Sequence, residues 1–365
     1  MTARRWVNLT SGALIATAAL AALSAAAAAQ DRPLDAKLKA AFVAGELKGL
    51  HNVVIIHDGD VLAESSFPGR DWRWGRPLGL RQHGAETLHD LRSVTKSIIG
   101  LLYGIALAEG KVAKPDDSII AQFPEYPDLA GEAQRKAIRV EHALGMRMGI
   151  RWNEDVPYVD KRNSEVAMEF AKDRYRFVLG QPMAGAPGSA WVYNGGAVAV
   201  VAGLIARGVG KSIDKYAEEK LFKPLGITRY DWIKGRDGTP SAASGLRLSA
   251  RDLAKIGKLV LQNGRFNGRR VVPAAWLAQS FAPRSTTRSG LRYGYLWWLA
   301  PESMGAAPSW VAGFGNGGQR LTVQAEYKLI VVVFAGNYNR KTAWQLPVKI
   351  ITKFVAPAVR ARIKK

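Results

Sequence analysis

Hydrophobic and polar positions divide the chain into regions with different periods. Residues 35–49 carry apolar side chains at helical spacing and predict a helix. Asn52-Val53-Val54-Ile55-Ile56-His57, then Asp58-Gly59-Asp60, then residues 61–67 predict a β-hairpin closed at an Asp-Gly turn. The middle, from Ser93 to about Asn263, is dominated by helical patterns and loops. Two of its segments, 97–110 and 197–205, are apolar on nearly every side and read as buried helices. Strand patterns return over 293–335, and a final amphipathic helix is expected over about 342–354. Strands at both ends with helices between them imply an α/β (α+β) fold. One antiparallel sheet is built from N- and C-terminal segments, helices flank it, and a mainly helical lobe is inserted. The sheet lobe is placed at about 30–92 and 270–365, the helical lobe at 93–269, within a single domain that shows no internal repeat.

The N-terminus differs in kind. Arg4 and Arg5 precede an uncharged stretch rich in alanine and leucine over 9–29, with several Ala-x-Ala cleavage options before Gln30-Asp31-Arg32-Pro33. This reads as a signal peptide over 1–29, of the Sec type because the arginine pair lacks a strong twin-arginine consensus. The expected location is therefore periplasmic or secreted. An uncleaved membrane anchor is the alternative, since the stretch is almost long enough to span a bilayer. The absence of cysteine excludes disulfides, zinc knuckles and thiol chemistry. Fifty-two Lys and Arg against thirty Asp and Glu give a formal net charge of +22. The basic residues are dispersed and form no recognisable nucleic-acid module, so no nucleic-acid partner is expected. Electrostatic contact with an anionic envelope polymer or lipid is one reading of the charge; steering of acidic substrates or plain solubility are the others.

Candidate chemistry begins at Ser93-Val94-Thr95-Lys96, at the mouth of the first buried helix. Lys96 lies three residues after Ser93 and shares its face. Ser93 would sit where a helix presents free N–H groups and partial positive charge. A lysine in that position opposes the helix dipole, and burial further disfavours its charge. The expectation is a neutral amine that serves as base to the serine. The alternative is a capping serine beside a lysine that snorkels to solvent. A second Ser-x-x-Lys, Ser212-Ile213-Asp214-Lys215, lies on a polar stretch and reads as a solvated helix face. Tyr193, in Trp191-Val192-Tyr193-Asn194-Gly195-Gly196, is either a proton relay at a cleft edge or a core tyrosine. The segment Gly313-Phe314-Gly315-Asn316-Gly317-Gly318-Gln319 punctuates what otherwise reads as an edge strand. It either offers a bare N–H to an oxyanion hole with Ser93 or forms a glycine-rich hairpin. No Gly-x-Ser-x-Gly elbow or phosphate loop is present. His51, His57, His83, His89 and His142 have no i,i+4 pair, so no metal site is expected.

These three segments, in this order, resemble the serine hydrolases of the β-lactamase-related superfamily. That group includes class C β-lactamases, D-alanyl-D-alanine carboxypeptidases, related esterases and 6-aminohexanoate-dimer hydrolases. The resemblance extends to His142-Ala143-Leu144-Gly145-Met146-Arg147-Met148-Gly149-Ile150-Arg151-Trp152, to Leu221-Phe222-Lys223-Pro224-Leu225-Gly226-Ile227 and to Tyr293-Gly294-Tyr295-Leu296-Trp297-Trp298. It implies Ser93 as acylated nucleophile, Lys96 as its activating partner and Tyr193 as general base and then acid. The backbone N–H of Ser93, with that of Gly318 or Gln319, would hold the oxyanion. Asn194, Asn316 and Trp298 are candidate substrate contacts; Trp297, Trp298 and Trp310 either line an acyl pocket or pack in the core. Two departures from the family pattern stand out. Gly195 replaces the asparagine of Tyr-x-Asn, and no Lys-Thr-Gly occurs. A site without that lysine or histidine lacks the usual partner for a free carboxylate. The expectation is therefore a small-molecule ester or amide substrate, with neither metal nor organic cofactor. The alternatives are a non-catalytic module that binds wall peptide and a β-lactamase with an altered third motif.

Overall fold

A computed structural model describes residues 32–364; the leader expected over 1–29 lies outside the described residues. Eight antiparallel strands form the main sheet, in the spatial order Ser285–Thr286, Arg292–Tyr293, Trp298–Leu299, Val311–Gly315, Gln319–Gln324, Leu329–Ala335, Leu50–His57 and Asp60–Ser66. The N- and C-terminal parts meet where Leu50–His57 pairs with Leu329–Ala335, Ile55 opposite Val331. The first hairpin turns at Asp58 (φ 50°) and Gly59 (φ 88°), the left-handed pair that a two-residue turn requires.

Period-two alternation divides the central strands between two cores. Val53, Ile55, Val331 and Val333 pack under the helix Pro33–Val43 and the C-terminal helical segment, together with Leu38 and Ile350. Val54, Ile330, Val332 and Phe334 face the opposite way, into the larger core of the helical lobe. The C-terminal segment is helical from Gln345 to Ile363, longer than the sequence pattern implied.

At the centre of the helical lobe lie Val94–Ala108 and Gly195–Val209, the two all-round apolar segments, packed against each other. The helix Ala250–Leu261 falls inside the range 93–269 yet packs on the sheet, where Gly257 lets it approach: a Cβ there would fall 2.6 Å from Ile330 Cγ2. A small sheet, His89–Asp90 with Leu246–Leu248 and Asp231–Trp232, holds the chain just before Ser93. Among the described residues no single helix is long and apolar enough to cross a membrane.

The nucleophile helix is anchored through its glycines. Trp276 lies against Gly104, where a Cβ would fall 1.9 Å from the indole, and its Nε1 donates to Gly100 O at 2.8 Å. Gly104→Ala forces the ring out of this slot. The expected outcome is a loss of about 1–3 kcal/mol in unfolding free energy, read from denaturant titration.

Candidate active site

Ser93 precedes the first residue of Val94–Ala108, and the turn before it is strained: Arg92 has φ 49°, in the left-handed region. Such a conformation costs on the order of 1 kcal/mol and is held only by its surroundings. One element of those surroundings is the strand Val311–Gly315, which crosses the helix start. A Cβ on Gly313 would meet Val94 and Ser97 Oγ, and one on Gly315 would meet Leu91 O at 2.4 Å. Two residues without side chains therefore bring a strand edge against the nucleophile.

Lys96 is buried, and its Nζ donates to Ser93 Oγ (3.1 Å), to Ala243 O (3.0 Å) and to Glu165 Oε2 (3.4 Å). Burial disfavours the ammonium, but the charges of Glu165, Tyr193 and Glu154 outweigh it and hold Lys96 above its ordinary value. Attraction at 3.4 Å is about 5 kcal/mol at an effective dielectric of ~20, comparable to the penalty for desolvating such an ion. Against the expected neutral amine, these surroundings favour the ammonium form of Lys96. The sequence reading missed Glu165 because nothing local distinguishes it, an acidic residue in the first turn of Ser164–Glu169. Its second oxygen accepts from Ser244 Oγ at 2.6 Å.

Tyr193 reaches the same point. Lys96 Nζ lies 4.9 Å from its ring centroid, which sets the phenol beside the Ser93–Lys96 pair. Burial raises the phenol's pKa, the Lys96 charge opposes this, and Glu154 adds to it. Glu154 accepts from the Gly195 N–H (2.5 Å), Trp152 Nε1 (2.6 Å) and the Tyr158 hydroxyl (2.8 Å). Burial pushes Glu154 up to about 7, Glu165 adds to the rise, and Lys96 opposes it. Gly195 also stands where a Cβ would fall 2.5 Å from Glu165 Oε2, which explains a glycine in place of the family's asparagine.

Several expected contacts are redistributed. Asn194 is buried and caps the helix Gly195–Val209, its side-chain oxygen accepting from the Ala197 N–H at 2.8 Å. The Asn316 side chain is tied to Asn339 through two 2.8 Å bonds. Gly318 and Gln319 lie on the return limb of a hairpin, so the segment is not a plain edge strand. The Gly318 N–H donates to Gly315 O, and the Gln319 side chain is bonded to the Ala335 backbone. In an antiparallel ladder alternate residues point their N–H groups to opposite sides. Gly315 points to the return limb, so Phe314 and Asn316 point to the other edge. Trp298–Leu299 pairs there only with Ala312 and Val311, leaving the edge beyond open. Among the described residues neither the Ser93 nor the Asn316 N–H is hydrogen-bonded. The Asn316 N–H thus joins those of Gly318 and Gln319 as a candidate second oxyanion donor.

Trp297 is fully buried and packs in the core against Phe281. Trp298 is half-buried, 6.0 Å from Tyr193 and stacked on Phe314 at 5.1 Å, so it lies at the cleft. Trp310 lies 6.2 Å from Phe314. A cavity of 180 Å³ opens beside Arg92, Glu165 and Ser244, with Val159 and Phe170 at its wall.

The Beta-lactamase family model matches residues 34–342. The chain is 27% identical over 269 residues to the 6-aminohexanoate-dimer hydrolase of Paenarthrobacter ureafaciens, covering 67% of this chain and 65% of that protein's length. It is similar in structure to a penicillin-binding protein homologue from Caulobacter crescentus, with TM-score 0.66, 17% identity and coverage of 90% and 98% of the two chains. A family VIII carboxylesterase gives 0.63, 16%, and 87% and 96%. At such identities the two structures establish the fold.

The elevated Glu154 generates a pH prediction. A carboxyl raised when folded binds more protons there than when unfolded, so stability falls as pH rises from about 4.5 to about 7. Glu154→Gln keeps an acceptor and removes the titration. Its unfolding free energy relative to the parent is expected to increase steadily from pH 5 to pH 8, followed by urea unfolding.

Proposed function

The chain belongs to the β-lactamase family, and on that premise we propose that it is a serine hydrolase cleaving carboxylic esters or small amides through an acyl-enzyme on Ser93. The observation that carries this reading is the Ser93 hydroxyl 3.1 Å from the buried Lys96 nitrogen, which lies 4.9 Å from the Tyr193 ring centroid.

Lys96, as a cation, acts by stabilising negative charge on Tyr193 and Ser93. In the reactive form Tyr193 is a phenolate paired with Lys96. The Ser93 proton passes to that phenolate as Oγ bonds to the carbonyl carbon, and the N–H groups of Ser93 and Asn316 receive the oxyanion. The phenol then returns the proton to the departing alcohol or amine. Water repeats the sequence on the acyl-enzyme, giving one proton to Tyr193, which restores the Ser93 hydroxyl. The inclusion of small amides is supported by the 27% identity to a 6-aminohexanoate-dimer hydrolase. Gly313 and Gly315 provide no cation for a free carboxylate, which favours these substrates over β-lactams and D-Ala termini. Export belongs to the same reading, supported by the uncharged 9–29 stretch, and so does contact with anionic envelope material, supported by the charge of +22.

The test is the intact mass of the protein after a short-chain p-nitrophenyl ester and, separately, a serine-reactive phosphonate. One covalent adduct is expected, and Ser93→Ala loses both adduct and p-nitrophenol release. No adduct with either reagent would overturn the reading in favour of a binding module. Asn316→Pro, which deletes the proposed oxyanion donor, is expected to lower kcat ~10²–10³-fold with little change in KM. In the parent, kcat/KM is expected to rise with pH through the alkaline range as the phenolate population grows. That rise is expected to vanish in Tyr193→Phe.

A further inference from the structure

Three histidines separated in sequence converge on one buried carboxylate that the hydrolytic chemistry leaves unused. His51 lies on Leu50–His57, Asp71 on Gly69–Arg73 and His89 on His89–Asp90, and all three are buried. A ring nitrogen of His51, one of His89 and a carboxylate oxygen of Asp71 lie within 4.8 Å of one another. His83 stacks on His51 at 4.1 Å between centroids. It is buried, and neither of its nitrogens has a hydrogen-bond partner among the described residues.

Counting protons exposes a mismatch. His89 Nδ1 lies 3.1 Å from the Asp90 carbonyl, which can only accept, so Nδ1 carries the proton and Nε2 presents a lone pair. His51 Nδ1, 2.9 Å away, donates to that lone pair. Asp71 Oδ1 faces the same Nε2 at 3.6 Å, a second acceptor with no proton between them. Asp71 accepts the Trp72 N–H, and among the described residues no lysine or arginine forms an ion pair with it. Two buried acceptors in opposition are costly.

We propose that this pocket is a structural divalent-cation site of the zinc class, with His51 Nδ1, His89 Nε2 and Asp71 as ligands and His83, turned from its stack on His51, as the fourth. Two or three imidazoles with one carboxylate suit zinc, and a closed structural site takes four protein ligands. The His89 Nδ1–H to Asp90 carbonyl bond is the outer contact that fixes a ligating histidine's tautomer. On metal binding the His51 proton moves from Nδ1 to Nε2, freeing Nδ1. The cation joins the central sheet, the Gly69–Arg81 hairpin and the segment that leads into Ser93. It takes no part in the acyl transfer, so its test is independent of that reaction.

The experiment uses tag-free protein stripped with EDTA, then given one equivalent of zinc and freed of excess by gel filtration. Bound metal is measured by mass spectrometry of the element, and unfolding is followed with and without zinc. About one zinc per chain and a rise of about 5 °C in unfolding midpoint are expected. Cobalt in its place is expected to give the intense visible absorption of a tetrahedral site. Asp71→Asn keeps the shape and is expected to retain less than a tenth of the metal while preserving ester hydrolysis. His83→Gln is expected to weaken affinity at least tenfold. No retained zinc, together with an unfolding midpoint indifferent to zinc, would overturn the proposal and assign the gap to a proton. Equal zinc in the parent and Asp71→Asn would overturn it too, by locating the metal elsewhere.

Discussion

The buried Lys96 ammonium sets the terms for everything around it. A cation removed from water must be met by charge and by hydrogen-bond acceptors, and here Glu165, the Ala243 carbonyl and the Ser93 hydroxyl meet it. Those partners come from three segments of the helical lobe, so the lobe must close around one nitrogen. Gly195 is confined by the same constraint, because any side chain there would displace the carboxylate. The apparent family departure at Gly195 is thus a packing consequence of the ion pair.

The frame that brings Ser93, Lys96 and Tyr193 together was legible in the sequence for a simple reason. Continuous apolarity marks buried helices, and alternation around Asp58-Gly59 marks a hairpin whose turn chemistry is local. Ser93, Lys96 and Tyr193 sit at the ends of such segments. The ionisation of Lys96 was not legible, because it depends on Glu165, 69 residues away and on no shared periodic element. The oxyanion register at the end of the glycine strand stayed open for a different reason. Asn316-Gly317-Gly318 is a run in which the turn could start at any residue, and only the pairing of Gly315 with Gln319 fixes which amide points outward. The histidine cluster was invisible to any spacing rule, since its members come from separate strands.

The cleft is asymmetric in its materials. One wall is charged and protonically coupled through Lys96, Glu165 and Glu154. The other is aromatic, with Trp298, Phe314 and Trp191 meeting edge and face around Tyr193. Tyr193 belongs to both walls, its ring to the apolar one and its oxygen to the polar one. A phenol so placed is desolvated without being isolated from charge, the condition under which Lys96 has most leverage over its ionisation.

The pairing of Leu50–His57 with Leu329–Ala335 also governs when this molecule can exist. Leu329–Ala335 is synthesised long after Leu50–His57, and until then its partner presents apolar residues on both faces and an unmatched edge. Contacts so distant in sequence form slowly, because the loop between them must be closed first. The serine is likewise made long before the strand Val311–Gly315 that crosses its helix. Birth order and assembly order are therefore opposed, and the half-made chain exposes surface that the finished sheet hides.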